Sequence, residues 1–372
     1  MSAATQDSKK KEQERRYFVA SEMRTSLMLL FRGIRMIFKL PYKEQKNTEI
    51  IDVSNDNQWW VESEYEGMFQ KGARDKSALR CVSSDYDFLT LHGASPTSAD
   101  HRYLYKLSNG RYPEQFWVEI IAYRLGCLMG VPVPPAFVAI DSGDANCGAL
   151  IEWFYTNDQQ YRDGGHYMQK FISDFDVKQG EQHNWETMED VKNDLGTDFV
   201  GHWYAEWARI FIFDALIGNT DRHQENWGLI VTYEQTGTGL KYSLAPAFDN
   251  GTAMGHELVA KHFAGAGKYT NDRHLIKHYI LKGCQHMKWE QTGPMLTFFE
   301  FIKRFITRYP TQTDTMQDLL DFSFTDVEEM IMQLCGIEIS VRLSEERARF
   351  MLRLLRLRRD LLTDMLETGN IS

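Results

Sequence analysis

The chain is poor in cysteine, and none of its five cysteines forms a C-x-x-C pair. Cys81, Cys127, Cys147, Cys284 and Cys335 are odd in number and dispersed. That pattern excludes a disulfide framework and a zinc ribbon, and it points to a reducing, cytoplasmic setting. A run of about 18 uncharged apolar residues is also missing, so no transmembrane segment is expected. The stretch from Leu27 to Leu40 is interrupted by Arg32, Arg35 and Lys39, with no cleavage site after it, so it is not a secretory signal. A basic excess is lacking too: 42 Lys+Arg stand against 52 Asp+Glu, a net charge of −10, which argues against general nucleic-acid binding. There is no internal repeat and no long Gly/Ser linker. Aromatics are plentiful, with 22 Phe, 17 Tyr and 9 Trp, and a disordered chain would not carry them. At 372 residues the expectation is two compact units or one large two-lobed unit.

Charge divides the chain. Residues 1–50 hold eleven Lys/Arg and six Asp/Glu, a local +5, which leaves −15 for the remainder. From about Phe18 to Leu40 the residues Met23, Leu27, Leu30, Ile34 and Ile37 recur at helical spacing, with Arg24, Arg32, Arg35 and Lys39 on another face. Such a helix either docks on its own core with a solvated basic face or meets an acidic partner or a membrane surface. Residues 51–155 read as short β-rich runs around one helix, which opens at Pro113 and closes at Gly130. Residues 156–372 read mainly as helices, among them Trp203 to Ile217, apolar nearly all round, with a hairpin from Trp227 to Leu244. The expected fold class is α+β, a small β-rich lobe followed by a larger helical lobe.

The densest polar cluster, Gly218-Asn219-Thr220-Asp221-Arg222-His223-Gln224-Glu225-Asn226, follows the buried helix, and Phe248-Asp249-Asn250-Gly251 follows the hairpin. Taken singly, Asp221 and Asp249 also fit as capping or turn residues. Together they match phosphoryl transfer, which needs a carboxylate to orient the attacking hydroxyl and Asp/Asn oxygens to hold Mg²⁺ against phosphates. Asp221 and Asn226 have the five-residue spacing of a kinase catalytic loop, and Asp249 falls at the metal-binding turn after the hairpin. Lys106, on the alternating run Tyr103 to Leu107, reads alone as a strand-end surface lysine. In a kinase it would pair with a helix carboxylate such as Glu119. The turn Gly72-Ala73-Arg74-Asp75-Lys76 reads alone as an ordinary polar turn and is not a Walker A loop.

These segments, with Ile151-Glu152-Trp153-Phe154 and Gly130-Val131-Pro132-Val133-Pro134-Pro135 between them, come in the order found in HipA-like kinases, which the chain resembles from about Gly72 to Asp249. HipA-like proteins are bacterial serine/threonine protein kinases, often the toxins of toxin–antitoxin pairs. The resemblance implies ATP and Mg²⁺ as cofactors, a protein substrate modified on Ser/Thr, and an antitoxin or accessory partner. It implies Asp221 as catalytic base, Asn226 and Asp249 as metal ligands, Lys106 as the phosphate lysine with Glu119 as its partner, and Gly72, Ala73, Arg74 and Lys76 as the phosphate loop. Glu152 and Phe154 match the adenine-reading hinge, and His223 a family histidine of structural or chemical role. In the family an autophosphorylated serine precedes the loop glycine, whereas the comparable position here is Phe69. The alternatives are a lipid or small-molecule kinase, a nucleotidylyl transferase on a kinase-like fold, or a pseudokinase acting as an interaction module.

Overall fold

The computed structural model describes residues 36, 38–61, 74–81, 101–234, 239–270 and 272–370. Two compact units divide the chain, Met1–Ile37 and Phe38–Ser372. The first lies almost wholly outside the described residues, and with it nearly all of the basic helix expected from Phe18 to Leu40. The end of that stretch is not helical: Lys39 and Leu40 form a bend whose N–H groups both donate to Cys127 O, at 2.9 and 3.1 Å. The main unit therefore opens at Phe38, earlier than the composition break at residue 50. The reason is visible in Gln45, a buried side chain whose amide bonds the backbone of Val138 in both directions, at 2.7 and 2.8 Å.

A six-stranded sheet forms the first layer. Its strands are β1 (Ile51–Asp52), β2 (Trp59–Val61), β3 (Lys76–Cys81), β4 (His101–Leu107), β5 (Ala136–Asp141) and β6 (Asn146–Glu152), in the order β1-β5-β6-β4-β3-β2. All neighbours are antiparallel except β1 and β5. Strand alternation decides what β4 does. Tyr103 and Tyr105 join Trp59, Leu79, Phe137 and Leu150 in a core on one face, so Leu104 and Lys106 project from the other. The β3–β4 register sets Lys76 opposite Lys106. Helix α1 (Phe116–Met129), entered through a 3-10 turn at Pro113–Gln115, packs on β5 and β6 and is buried along its whole length. Gly130 ends it at φ +85°, a left-handed conformation that glycine adopts without a Cβ penalty.

The second lobe starts with a three-stranded sheet, β7 (Gln159–Asp163), β8 (Gly228–Tyr233) and β9 (Leu240–Leu244), in that order. Helices α2 (Gly164–Phe171) and α3 (Trp185–Leu195) lead to α4 (Trp203–Ile217). After the sheet come α5 (Ala260–Phe263), α6 (Arg273–Leu281), α7 (Phe298–Arg308), α8 (Gln312–Leu320), α9 (Phe324–Leu334) and α10 (Glu345–Thr368). The apolar girth of α4 is explained by its place: α7, α8 and α10 all pack on it. Trp185, Trp207, Phe211 and Phe305 meet edge-on around it at ring separations of 5.2 to 5.9 Å. Each such buried aromatic contributes about 2–3 kcal/mol of transfer free energy. No helix among the described residues is long and apolar enough to cross a membrane.

Candidate active site

Helix α4 ends because Gly218 turns the chain at φ +73°, and the loop that follows is held by its own side chains. Asn219 Oδ1 accepts the Asp221 N–H at 3.1 Å and the Thr252 hydroxyl at 2.9 Å. Asp221 O accepts the His223 N–H at 2.8 Å and the Asn226 side-chain N–H at 2.7 Å. The second bond fixes the Asn226 amide with its oxygen, the end able to ligate a cation, turned the other way. Beneath the loop lies Arg222, fully buried. Its guanidinium binds Asp214 of α4 through two bonds, of 2.8 and 3.1 Å, and also reaches Asn226 O, Asn250 Oδ1 and Phe248 O. One buried cation thus ties the Asp221 loop to the Asp249 turn. Such a pair is maintained by its hydrogen bonds, because an isolated buried charge is very costly.

The first lobe supplies the opposite wall. Lys106 Nζ donates to Glu119 Oε1 at 3.0 Å and to Asp249 Oδ1 at 2.6 Å. Arg74 Nη2 donates to the same two oxygens, at 2.9 and 2.8 Å. Glu119 uses its other oxygen to accept the Asn250 N–H at 2.9 Å, which pins the acidic turn to α1. Lys106 and Glu119 are almost wholly buried, whereas the Asp249 side chain is 27% exposed, so Asp249 is the member of this network open to a ligand.

Electrostatics follow this geometry. Burial would raise the Glu119 and Asp249 carboxyls, but Lys106 and Arg74 outweigh it. Glu119 stays below the ordinary carboxylate range and Asp249 far below it. Asp221 moves the other way: burial lifts its carboxyl, Asp249 adds to the rise, and His223 only partly offsets it. Lys76 is lowered by burial and by the like charge of Lys106.

These residues line a cleft of about 370 Å³, within the range of small-molecule sites. Arg74, Lys76, Lys106, Asp221, His223, Asn226 and Asp249 are among its polar and charged lining, and Leu104, Pro134, Ile151, Phe154 and Phe248 form an apolar one. Phe154 and Phe248 stack with ring centroids 5.1 Å apart. Glu152 and Phe154 both reach the cleft, but differently. The Glu152 N–H is donated to Pro135 O at 2.8 Å, and its carboxylate pairs with Lys43. The Glu152 amide and carboxylate are therefore committed within the protein. Pro135 has no N–H to return a bond to the Glu152 carbonyl. His223 accepts the Glu225 N–H at Nδ1, 3.2 Å away, and its ring stands 5.8 Å from His286, which fits a loop-shaping role. Gly72 and Ala73 lie outside the described residues. Among the described residues no cluster of three or more His, Cys, Asp or Glu could hold a metal by itself. Asp249 and Asn226, a carboxylate and an amide oxygen beside basic groups, would suit magnesium carried with phosphates, since that ion keeps water and shares its shell with a nucleotide.

Arg222 and its partner Asp214 were not anticipated from the sequence, although a signal existed. An Asp inside an otherwise apolar, buried helix demands a cation, and Arg222 is the next arginine after it.

A small sheet lobe and a helical lobe with this cleft define a two-lobed, kinase-like fold. The chain matches the family model described as the HipA-like C-terminal domain over residues 69–319, and it belongs to that family. Among solved structures it is similar to the proinflammatory kinase CtkA of Helicobacter pylori, with TM-score 0.63 and 15% identity, covering 86% of this chain and 98% of that one. HipA of Shewanella oneidensis MR-1, solved with HipB and its operator DNA, matches at TM-score 0.38 and 13% identity, over 90% of this chain and 73% of that one. No curated protein matches the chain.

Proposed function

We propose that the cleft binds magnesium–ATP and transfers the γ-phosphoryl group to a serine or threonine of a protein. One observation carries this reading: Lys106 joins Glu119 of α1 to Asp249 of the acidic turn, in a cleft that Asp221 and Asn226 also line. Lys106, Arg74 and Lys76 face the phosphates with positive charge. Asp221 accepts a hydrogen bond from the acceptor hydroxyl and orients it in line. Its proton passes to Asp221 as the new P–O bond forms and the bond to the leaving diphosphate breaks. Asn226 and Asp249 would hold magnesium, which when bound offsets phosphate charge. Family membership supports a protein as acceptor, and it supports an antitoxin or accessory protein as partner.

The test compares wild type with Asp221→Asn, each purified and incubated with γ-labelled ATP and a bacterial lysate, followed by mapping of phosphosites. Serine and threonine sites labelled only by wild type are expected. Equal labelling by the two proteins overturns the reading. A labelled lipid, or an unlabelled protein whose mass has gained AMP with the label released as pyrophosphate, replaces it with the corresponding transferase.

A further inference from the structure

A lysine–glutamate pair needs one cation, yet here two cations share the same two carboxylate oxygens. Lys106 Nζ and Arg74 Nη2 both reach Glu119 Oε1 and Asp249 Oδ1, at 2.6 to 3.0 Å. The Arg74 side chain is 9% exposed, and its Nη1 is shielded from solvent without a hydrogen-bond partner. A buried donor in that condition is costly and is satisfied by a ligand acceptor where one binds. Arg74 also lies against the turn itself: a Cβ at Gly251 would sit 2.2 Å from Nη1.

The consequence falls on Asp249. Its Oδ1, the atom that both cations hold, belongs to the carboxylate read as the metal ligand. A divalent cation arriving alone would meet the ammonium of Lys106 and the guanidinium of Arg74 at close range, with Lys76 beside them. A polyphosphate changes the sum: it brings several negative charges that compete with Asp249 for the Lys106 and Arg74 cations. We propose that Arg74 makes the metal site conditional on nucleotide, so that Asp249 takes a divalent cation only together with a polyphosphate. This rests on reading the cleft as a magnesium–nucleotide site.

The test is electron paramagnetic resonance of Mn²⁺, standing in for Mg²⁺, with the full-length protein and no turnover. Wild type is expected to leave Mn²⁺ free in the absence of nucleotide and to bind it once ADP is added. Arg74→Gln is expected to bind Mn²⁺ without nucleotide at least about tenfold more tightly than wild type does. Arg74→Lys, whose single ammonium cannot present the planar fork, should fall between them and serves if the glutamine variant does not fold. Asp249→Asn should abolish binding in every background. Equal Mn²⁺ affinity in wild type and the Arg74 variants without nucleotide overturns the inference, as does tight binding by wild type alone. If ADP recruits no Mn²⁺ to wild type, the reading of the cleft fails and the inference falls with it. If ADP recruits Mn²⁺ but Arg74 is immaterial, the inference alone fails.

Discussion

Asp249 is held by its backbone as much as by charge. Its φ of +53° places a non-glycine residue in the left-handed region, where aspartate is among the tolerated residues and where strain collects at functional turns. Asn250 secures that conformation from both sides, through its N–H to Glu119 and its side chain to Arg222. Truncating the carboxylate therefore removes the proposed metal ligand from a scaffold that other bonds still hold. Asp249→Ala is expected to lower kcat by roughly a thousandfold or more while keeping the wild-type circular dichroism spectrum. Retained transfer by the purified variant would exclude Asp249 from the chemistry. The direction of the Asp221 shift makes a separate forecast. Its carboxyl is raised from the ordinary 3.8, and a base must be ionised to work, so the rate rises with pH through a value above 3.8 and then levels. The acid limb of kcat/KM against pH checks this, and a limb at or below 3.8 would mean that burial and Asp249 do not raise the Asp221 carboxyl.

At the scale of elements, the exit of α4 sets the Asp221 loop. Gly218 needs its positive φ, and a Cβ there would lie 2.5 Å from Arg358 Nη2 of α10. Arg358 is buried, its pKa brought down to about 10 by burial, so it has little room to retreat. Gly218→Ala should destabilise the protein by roughly 1–3 kcal/mol in a urea titration, with a loss of transfer beyond that explained by unfolding, because the loop begins at the next residue. An unchanged midpoint would mean that the helix exit relaxes freely. Elements of this kind were legible in the sequence where local pattern governs. The alternation around Lys106, the proline opening and glycine closing of α1, and the apolar girth of α4 all stand close to their expected limits. Strand β7 was not legible. Gln159-Gln160-Tyr161-Arg162-Asp163 is polar, and its partner β8 begins far along the chain at Gly228, so the sheet read as a two-stranded hairpin. The site shows the same division. Asp221 and Asn226 are local to one loop and could be read from spacing, whereas the contact of Arg74 with Asp249 spans 175 positions and becomes visible only when the lobes meet.

Across the whole molecule, a chain of net charge −10 has a cleft suited to a polyanion, so attraction has to be local. Lys106, Arg74 and Lys76 supply it at one wall, and two of them are already engaged with Glu119 and Asp249. On the proposed reading nucleotide and metal arrive as a balanced set, and this has a thermodynamic signature. The network joins α1 and β4 of the first lobe to the turn after β9 in the second, so a ligand that completes it binds the folded state alone. At about 100 times its dissociation constant such a ligand adds roughly 2.7 kcal/mol to the unfolding free energy. For a unit of this size that is a rise in Tm of several degrees. The rise should appear with Mg²⁺ and ATP together and be much smaller with either alone, since each alone leaves one sign of charge uncompensated. In Asp249→Ala the combined shift should shrink to that of ATP alone, because the variant keeps the basic wall and loses the metal. A combined shift as large in the variant as in wild type would place the metal elsewhere and separate nucleotide binding from the acidic turn.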